Sequence, residues 1–101
     1  MSRTEGRAEK RVRMSVPIEL SKLKSPNSAE RTVTENVCSF GVRVLARRPV
    51  EPNEQLMVSS SNLRTKARVV YCHKVSRDSF AIGLEFREVR VNWFRCTEIS
   101  A

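Results

Sequence analysis

Apolar and polar residues alternate with a period of two along most of this chain, the pattern of strands that bury one face. Val16, Ile18 and Leu20 alternate with Pro17, Glu19 and Ser21, which predicts a strand whose proline marks an edge or a start. Lys24 to Glu30, K-S-P-N-S-A-E, predicts a turn-rich connector, and Arg31 to Val37 a returning strand. Beyond Gly41, Val42 and Val44 alternate with Arg43 and Leu45 until R-R-P-V-E-P-N at Arg47 to Asn53 breaks the pattern. Gln55 to Ser59 then reads as a short strand and Ser60 to Leu63 as a turn. The strongest hairpin runs from Thr65 to Lys74, through a connector around Val75 to Ser79, into Phe80 to Phe86. Its first arm is rich in β-branched and aromatic residues, and its second sets Phe80, Ile82, Leu84 and Phe86 on one core-facing side. About six short strands at roughly 8–12-residue spacing predict an all-β fold, a small antiparallel barrel or sandwich. Periodicity alone admits an OB-like or SH3-like barrel equally well.

Length and charge narrow the function. A chain of 101 residues makes one domain with a single modest core. Its formal charge of +8 favours anionic partners: nucleotides, nucleic acid, an acidic protein or an anionic membrane surface. No apolar run approaches the ~18 residues of a membrane span, and M-S-R-T-E-G-R-A-E-K-R lacks the apolar segment of a secretory signal, so the expectation is a cytoplasmic protein with no membrane insertion. The three cysteines, Cys38, Cys72 and Cys96, have no C-x-x-C spacing, which points to neither a disulfide framework nor a zinc site. Cys72 and His73 are neighbours on one predicted strand and face opposite ways, a poor arrangement for gripping one metal.

Catalytic chemistry is poorly represented. The chain has one histidine, His73, and one aspartate, Asp78, and contains no glycine-rich phosphate loop, H-E-x-x-H or G-x-S-x-G. A non-enzymatic binding module is the expectation, with no cofactor.

Two short motifs carry the candidate binding chemistry. R-A-E-K-R at Arg7 to Arg11 places two guanidinium groups four residues apart, and N-V-C-S-F-G at Asn36 to Gly41 adjoins a predicted strand. Each arginine presents a planar fork that suits phosphate or the O6/N7 edge of guanine. Asn36 offers both a donor and an acceptor to a base edge, and Gly41 permits a sharp turn or close approach to a ligand. Alone, Arg3, Arg7 and Arg11 would read as a solvated basic tail. Their order and spacing relative to the second motif give them weight.

In these residues the chain resembles the PilZ domain family, whose pattern is R-x-x-x-R followed, about one hairpin later, by D/N-x-S-x-x-G. Arg7 and Arg11 match the first motif, Asn36 and Gly41 the two ends of the second, and Cys38 stands where the pattern has serine. A-R-V-V-Y-C at Ala67 to Cys72 and F-A-I-G-L-E-F at Phe80 to Phe86 resemble the late paired strands, so the likeness covers about residues 7–90. The resemblance implies a six-stranded antiparallel β-barrel with a short, weak C-terminal helix, and cyclic di-GMP as ligand. It implies that Arg7 and Arg11 hold phosphate and guanine, Asn36 a guanine edge, Cys38 the serine position and Gly41 the turn. Arg13, Arg43 and Arg68 are supplements suggested by charge and strand placement, Arg68 foremost. A thiol donates weakly, so Cys38 should cost about 0.5–1.5 kcal/mol of binding.

The resulting organisation is a flexible basic arm over residues 1–13, a barrel over 14–90 and a tail over 91–101. The arm is charge-dense and nearly free of apolar residues, so it is expected to be mobile until a ligand draws it across the barrel. A receptor of this kind signals through an effector protein that the sequence does not identify. Two other readings stand beside it: a degenerate adaptor that binds protein without nucleotide, and a basic nucleic-acid-binding barrel, weakened by the absence of an aromatic ladder. Val89, Val91, Trp93, Phe94 and Ile99 are too apolar for a free tail. Trp93 and Phe94 either cap the barrel or offer a protein contact.

Overall fold

In the computed structural model, which describes residues 11–93, the chain is built of strands. In order they are β1 (Val12–Arg13), β2 (Pro17–Lys22), β3 (Ser25–Cys38), β4 (Gly41–Ala46), β5 (Gln55–Ser60), β6 (Leu63–Ser76) and β7 (Ser79–Glu85). All pairings are antiparallel, and the sheet runs β1-β3-β2-β5-β6-β7-β4. A further β3–β4 pairing closes β2 to β7 into a six-stranded barrel, and closure removes the open edges that a sheet of this size would otherwise expose. The two-residue β1 lies outside the closed ring, beside the C-terminal end of β3. The expected C-terminal helix falls beyond the described residues, as do Arg7 and Phe94.

The core is aliphatic, drawn from alternate residues of every barrel strand: Ile18 and Leu20 of β2, Val37 of β3, Val42 and Val44 of β4, Leu56 and Val58 of β5, Ala67 and Val69 of β6, Ile82 and Leu84 of β7. Phe86, Val91 and Trp93 close one end. Trp93 is 3% exposed, so it caps the barrel rather than offering a surface to another protein.

Residues 24–30 differ from expectation. Only Leu23 and Lys24 form the turn, and the strand after it begins at Ser25 and continues for 14 residues. The turn-like composition misleads because this part of β3 reaches past the core: Ser28, Glu30 and Thr32 occupy its inward positions, where apolar residues would have signalled a strand. Their polar groups are used locally. Ser28 Oγ accepts from the Lys22 amide, and a Glu30 carboxylate oxygen accepts from the Arg47 amide at 2.7 Å. The β6–β7 hairpin is likewise longer than its hydrophobic pattern, with Arg77 and Asp78 as its turn.

Thr34 ties the start of the barrel to its middle. Its buried hydroxyl donates to the Met14 carbonyl and accepts from the Val16 amide at 2.8 Å, while its own amide donates to the Val16 carbonyl. These bonds fix the path from which β1 and Arg11 emerge. Thr34→Val preserves the shape but leaves the Val16 amide, itself buried, without its acceptor. The expected loss is about 2 kcal/mol, read as a lower midpoint in urea unfolding with an unchanged slope.

Candidate functional site

Two β-bulges build the outer face on which the second motif lies. Along β3, Thr34 faces inward opposite Val44, and simple alternation would also turn Asn36 inward. The register shifts between Thr34 and Asn36, with Glu35 as the extra residue, so Asn36 points outward opposite Arg43 and Val37 returns to the core. A second shift between Val69 and Tyr71 does the same on β6, turning Tyr71 outward opposite Gly83. The consequence is one lateral row across the barrel surface, Tyr71–Gly83–Arg43–Asn36–Arg13, each residue paired in register with the next.

The row is stitched together by side chains. Arg43 Nε donates to Glu35 Oε1 at 2.8 Å, and Arg43 Nη1 donates to the Tyr71 hydroxyl at 3.2 Å, reaching across Gly83. The Glu35 bond first, and the Tyr71 bond second, hold the Arg43 guanidinium above its already high ordinary pKa. The Tyr71 ring stacks on His73 with centroids 4.8 Å apart. Gly83 provides the room: a β-carbon there would lie 2.2 Å from Tyr71 Cε2. Below the row, Arg13, Asn36 and Arg43 rim a cleft of about 640 Å³ whose apolar lining comes from Met14, Val33 and Leu45.

Arg11 and Asn36 meet directly. Arg11 Nη1 donates to Asn36 Oδ1 at 2.7 Å, joining the second arginine of R-x-x-x-R to the first residue of N-x-C-x-x-G over 25 residues of sequence. Such an exposed contact contributes little stability by itself, but it sets the guanidinium over the row. With Oδ1 accepting from Arg11, the Asn36 amide nitrogen remains a donor for an incoming acceptor. Arg13, one register position from Asn36 on β1, adds a further exposed cation.

Cys38 and Gly41 lie in the adjacent row, Gln55–Arg68–Glu85–Gly41–Cys38. Cys38 shares the outward face of Asn36 and is half-buried. Gly41 corrects an expectation: its φ is not positive, so no sharp turn requires glycine. Its requirement is steric, because a β-carbon would sit 2.4 Å from the Leu84 carbonyl oxygen of β7. Arg68 is set apart from Asn36. Its Nη2 and Nε donate to Glu85 Oε1 at 2.7 and 3.2 Å, and its Nη1 donates to Asn53 Oδ1 at 2.7 Å, so most of its fork is already engaged. Asn53 adopts the left-handed region, φ 75°, which asparagine tolerates.

Tyr71, Gly83 and Glu35 are the participants that sequence reasoning missed. A glycine amid the Phe, Ala, Ile and Leu of β7 is a signal for close approach by a neighbour, and Tyr71 on the paired strand is that neighbour. The bulges left no such mark. Cys72 packs against the core while His73 stays exposed on the other face. Among the described residues, no helix is long and apolar enough to cross a membrane.

Comparison with the curated proteins finds no matching relative. The family profile for the PilZ domain, in contrast, matches residues 5–95, a span that holds both arginines of the first motif, the whole of the second and every barrel strand. With the closed six-stranded barrel and the two motifs meeting at Arg11 and Asn36, this match shows that the chain belongs to the PilZ domain family.

Proposed function

We propose that the chain is a receptor module for cyclic di-GMP, the ligand of its family, and acts in the bacterial cytoplasm through a partner protein. The observation that carries this reading is the 2.7 Å bond from Arg11 to Asn36, which brings the two halves of the nucleotide pattern to one place. In the proposed complex Arg7 and Arg11 present their forks to phosphate and to the O6/N7 edge of guanine. Asn36 directs its amide nitrogen to a guanine acceptor, and Cys38 and Gly41 line the approach. Arg13 supplies positive charge beside them, Arg43 is held against Glu35 and Tyr71 as the wall of the row, and Arg68 is an accessory two strands from Gly41. The part of the arm that precedes β1 closes on the nucleotide, and the closed arm is what a partner recognises.

A binding module of this kind performs no chemistry on its ligand. Binding energy is spent partly on ordering the arm, so affinity should sit below what the contacts alone would give.

Cys38 favours a second reading, an adaptor that has lost the nucleotide. The Cys38→Ser variant separates the two. A hydroxyl there should tighten cyclic di-GMP binding about threefold to tenfold, measured by calorimetry. An unmodified chain that ignores the nucleotide, beside a Cys38→Ser variant that binds it, would instead establish the adaptor. Competition by the linear dinucleotide and by arbitrary DNA tests the ligand class: a receptor prefers the cyclic form, whereas a basic nucleic-acid binder prefers DNA and weakens steeply with salt.

A further inference from the structure

One stretch of chain takes up three consecutive carbonyls of the second motif. Trp93 Nε1 donates to the Cys38 carbonyl at 2.7 Å. The Val91 amide donates to the Ser39 carbonyl at 3.0 Å and the Phe86 amide to the Phe40 carbonyl at 2.7 Å. The Arg90 guanidinium adds a fourth contact, 4.5 Å from the centroid of the Phe40 ring, within reach of a cation–π attraction. The stretch is itself well seated. Val91 and Trp93 are 6% and 3% exposed, and the indole packs on Phe86 with centroids 5.9 Å apart.

The turn that receives these bonds needs them. Ser39 and Phe40 connect β3 to β4 with no glycine and no positive φ, so they lack the primed geometry by which tight two-residue hairpin turns match the twist of their strands. In a planar trans peptide the carbonyl and the N–H point in opposite directions. Holding three successive carbonyls therefore sets the orientation of all three peptide planes between Cys38 and Gly41. The same turn carries the Cys38 side chain and ends at Gly41, which is locked against the Leu84 carbonyl.

We propose that Trp93 is a positioning residue of the nucleotide site: through the Cys38 carbonyl, with Val91 and Phe86 beside it, it holds the Cys38–Gly41 turn in its binding arrangement without touching the ligand. The ligand half of this inference rests on the receptor reading above; the turn half does not. Coupling between two sites is reciprocal, so nucleotide on the turn also alters the seat of Trp93.

The test uses Trp93→Phe, which keeps an aromatic ring in the cap and removes the indole N–H. Backbone amide order parameters at Ser39 and Phe40 are expected to fall from about 0.85 to below about 0.6, with β5 and β6 unchanged, and cyclic di-GMP affinity to fall about tenfold. In the unmodified chain, emission from its single tryptophan is expected to change in step with nucleotide saturation. A role confined to packing would lower the melting temperature yet leave the turn and the affinity alone well below it, and that result overturns the proposal. An emission spectrum unchanged at saturation also overturns it, and needs no variant. Should neither protein bind the nucleotide, the receptor reading fails by itself, and the order parameters decide whether Trp93 positions the turn.

Discussion

Arg11→Ala is expected to weaken cyclic di-GMP binding about 100-fold while leaving the barrel as stable as before. The side chain is exposed, and its bond to Asn36 lies at the surface, where a polar contact contributes well under 1 kcal/mol to folding. In the proposed complex the same fork makes two charge-assisted bonds, each contributing about 1.5 kcal/mol or more. Losing both amounts to about 3 kcal/mol, hence the factor of 100. Arg11→Lys keeps the charge but not the planar fork, and should fall between the two, about tenfold below the unmodified chain. Calorimetry gives the affinities, and thermal melting verifies that the fold is unaffected. Equal losses for alanine and lysine would assign the role to geometry alone; no loss for lysine would assign it to charge.

Gly41→Ala should act in the opposite way, through the fold first. The new methyl group would meet the Leu84 carbonyl oxygen at 2.4 Å, a backbone atom held in the β4–β7 ladder by the pairings on either side of it. Relief requires the strands to part where Gly41 faces Glu85 and Val42 faces Leu84, both close to the core. A cost of about 3 kcal/mol is expected, a large share of the ~5–15 kcal/mol that stabilises a domain of this size. The melting temperature should drop by more than about 10 °C. Gly83→Ala is the informative control. There the obstacle is the Tyr71 ring, a side chain that can swing aside, so the fold should lose only about 1 kcal/mol. Similar losses at the two positions would show that the Leu84 carbonyl is not what demands glycine at Gly41.

What could be read from the sequence depended on where the core reaches. β4, β7 and the first part of β6 were legible because their alternate residues are buried and aliphatic, and a period of two survives wherever one face meets the core. The start of β3 was illegible for the same reason: Ser28, Glu30 and Thr32 face inward beyond the aliphatic core and satisfy their polar groups on neighbouring backbone. Strand pairing rather than side-chain burial makes that segment a strand. The candidate site was legible as two motifs, since arginine and asparagine chemistry is written in residue type and spacing. The row that surrounds it was not. It depends on bulges at Glu35 and Val70, each a single extra residue that reverses the parity of everything after it, and parity is a property of pairing that one strand's sequence does not carry. The reason for Gly41 was hidden likewise, because the atom that excludes a β-carbon belongs to β7. Trp93 was recognised as too apolar for a free tail, but its hydrogen bond to Cys38 joins residues 55 apart.

Whether the two motifs form one nucleotide site is decided by a calorimetric titration of the unmodified chain with cyclic di-GMP in moderate salt, beside the Arg7→Ala/Arg11→Ala double variant. Saturable binding at micromolar concentration or tighter, lost in the double variant, is the predicted result. Absence of heat from either protein, or equal binding by both, would contradict it.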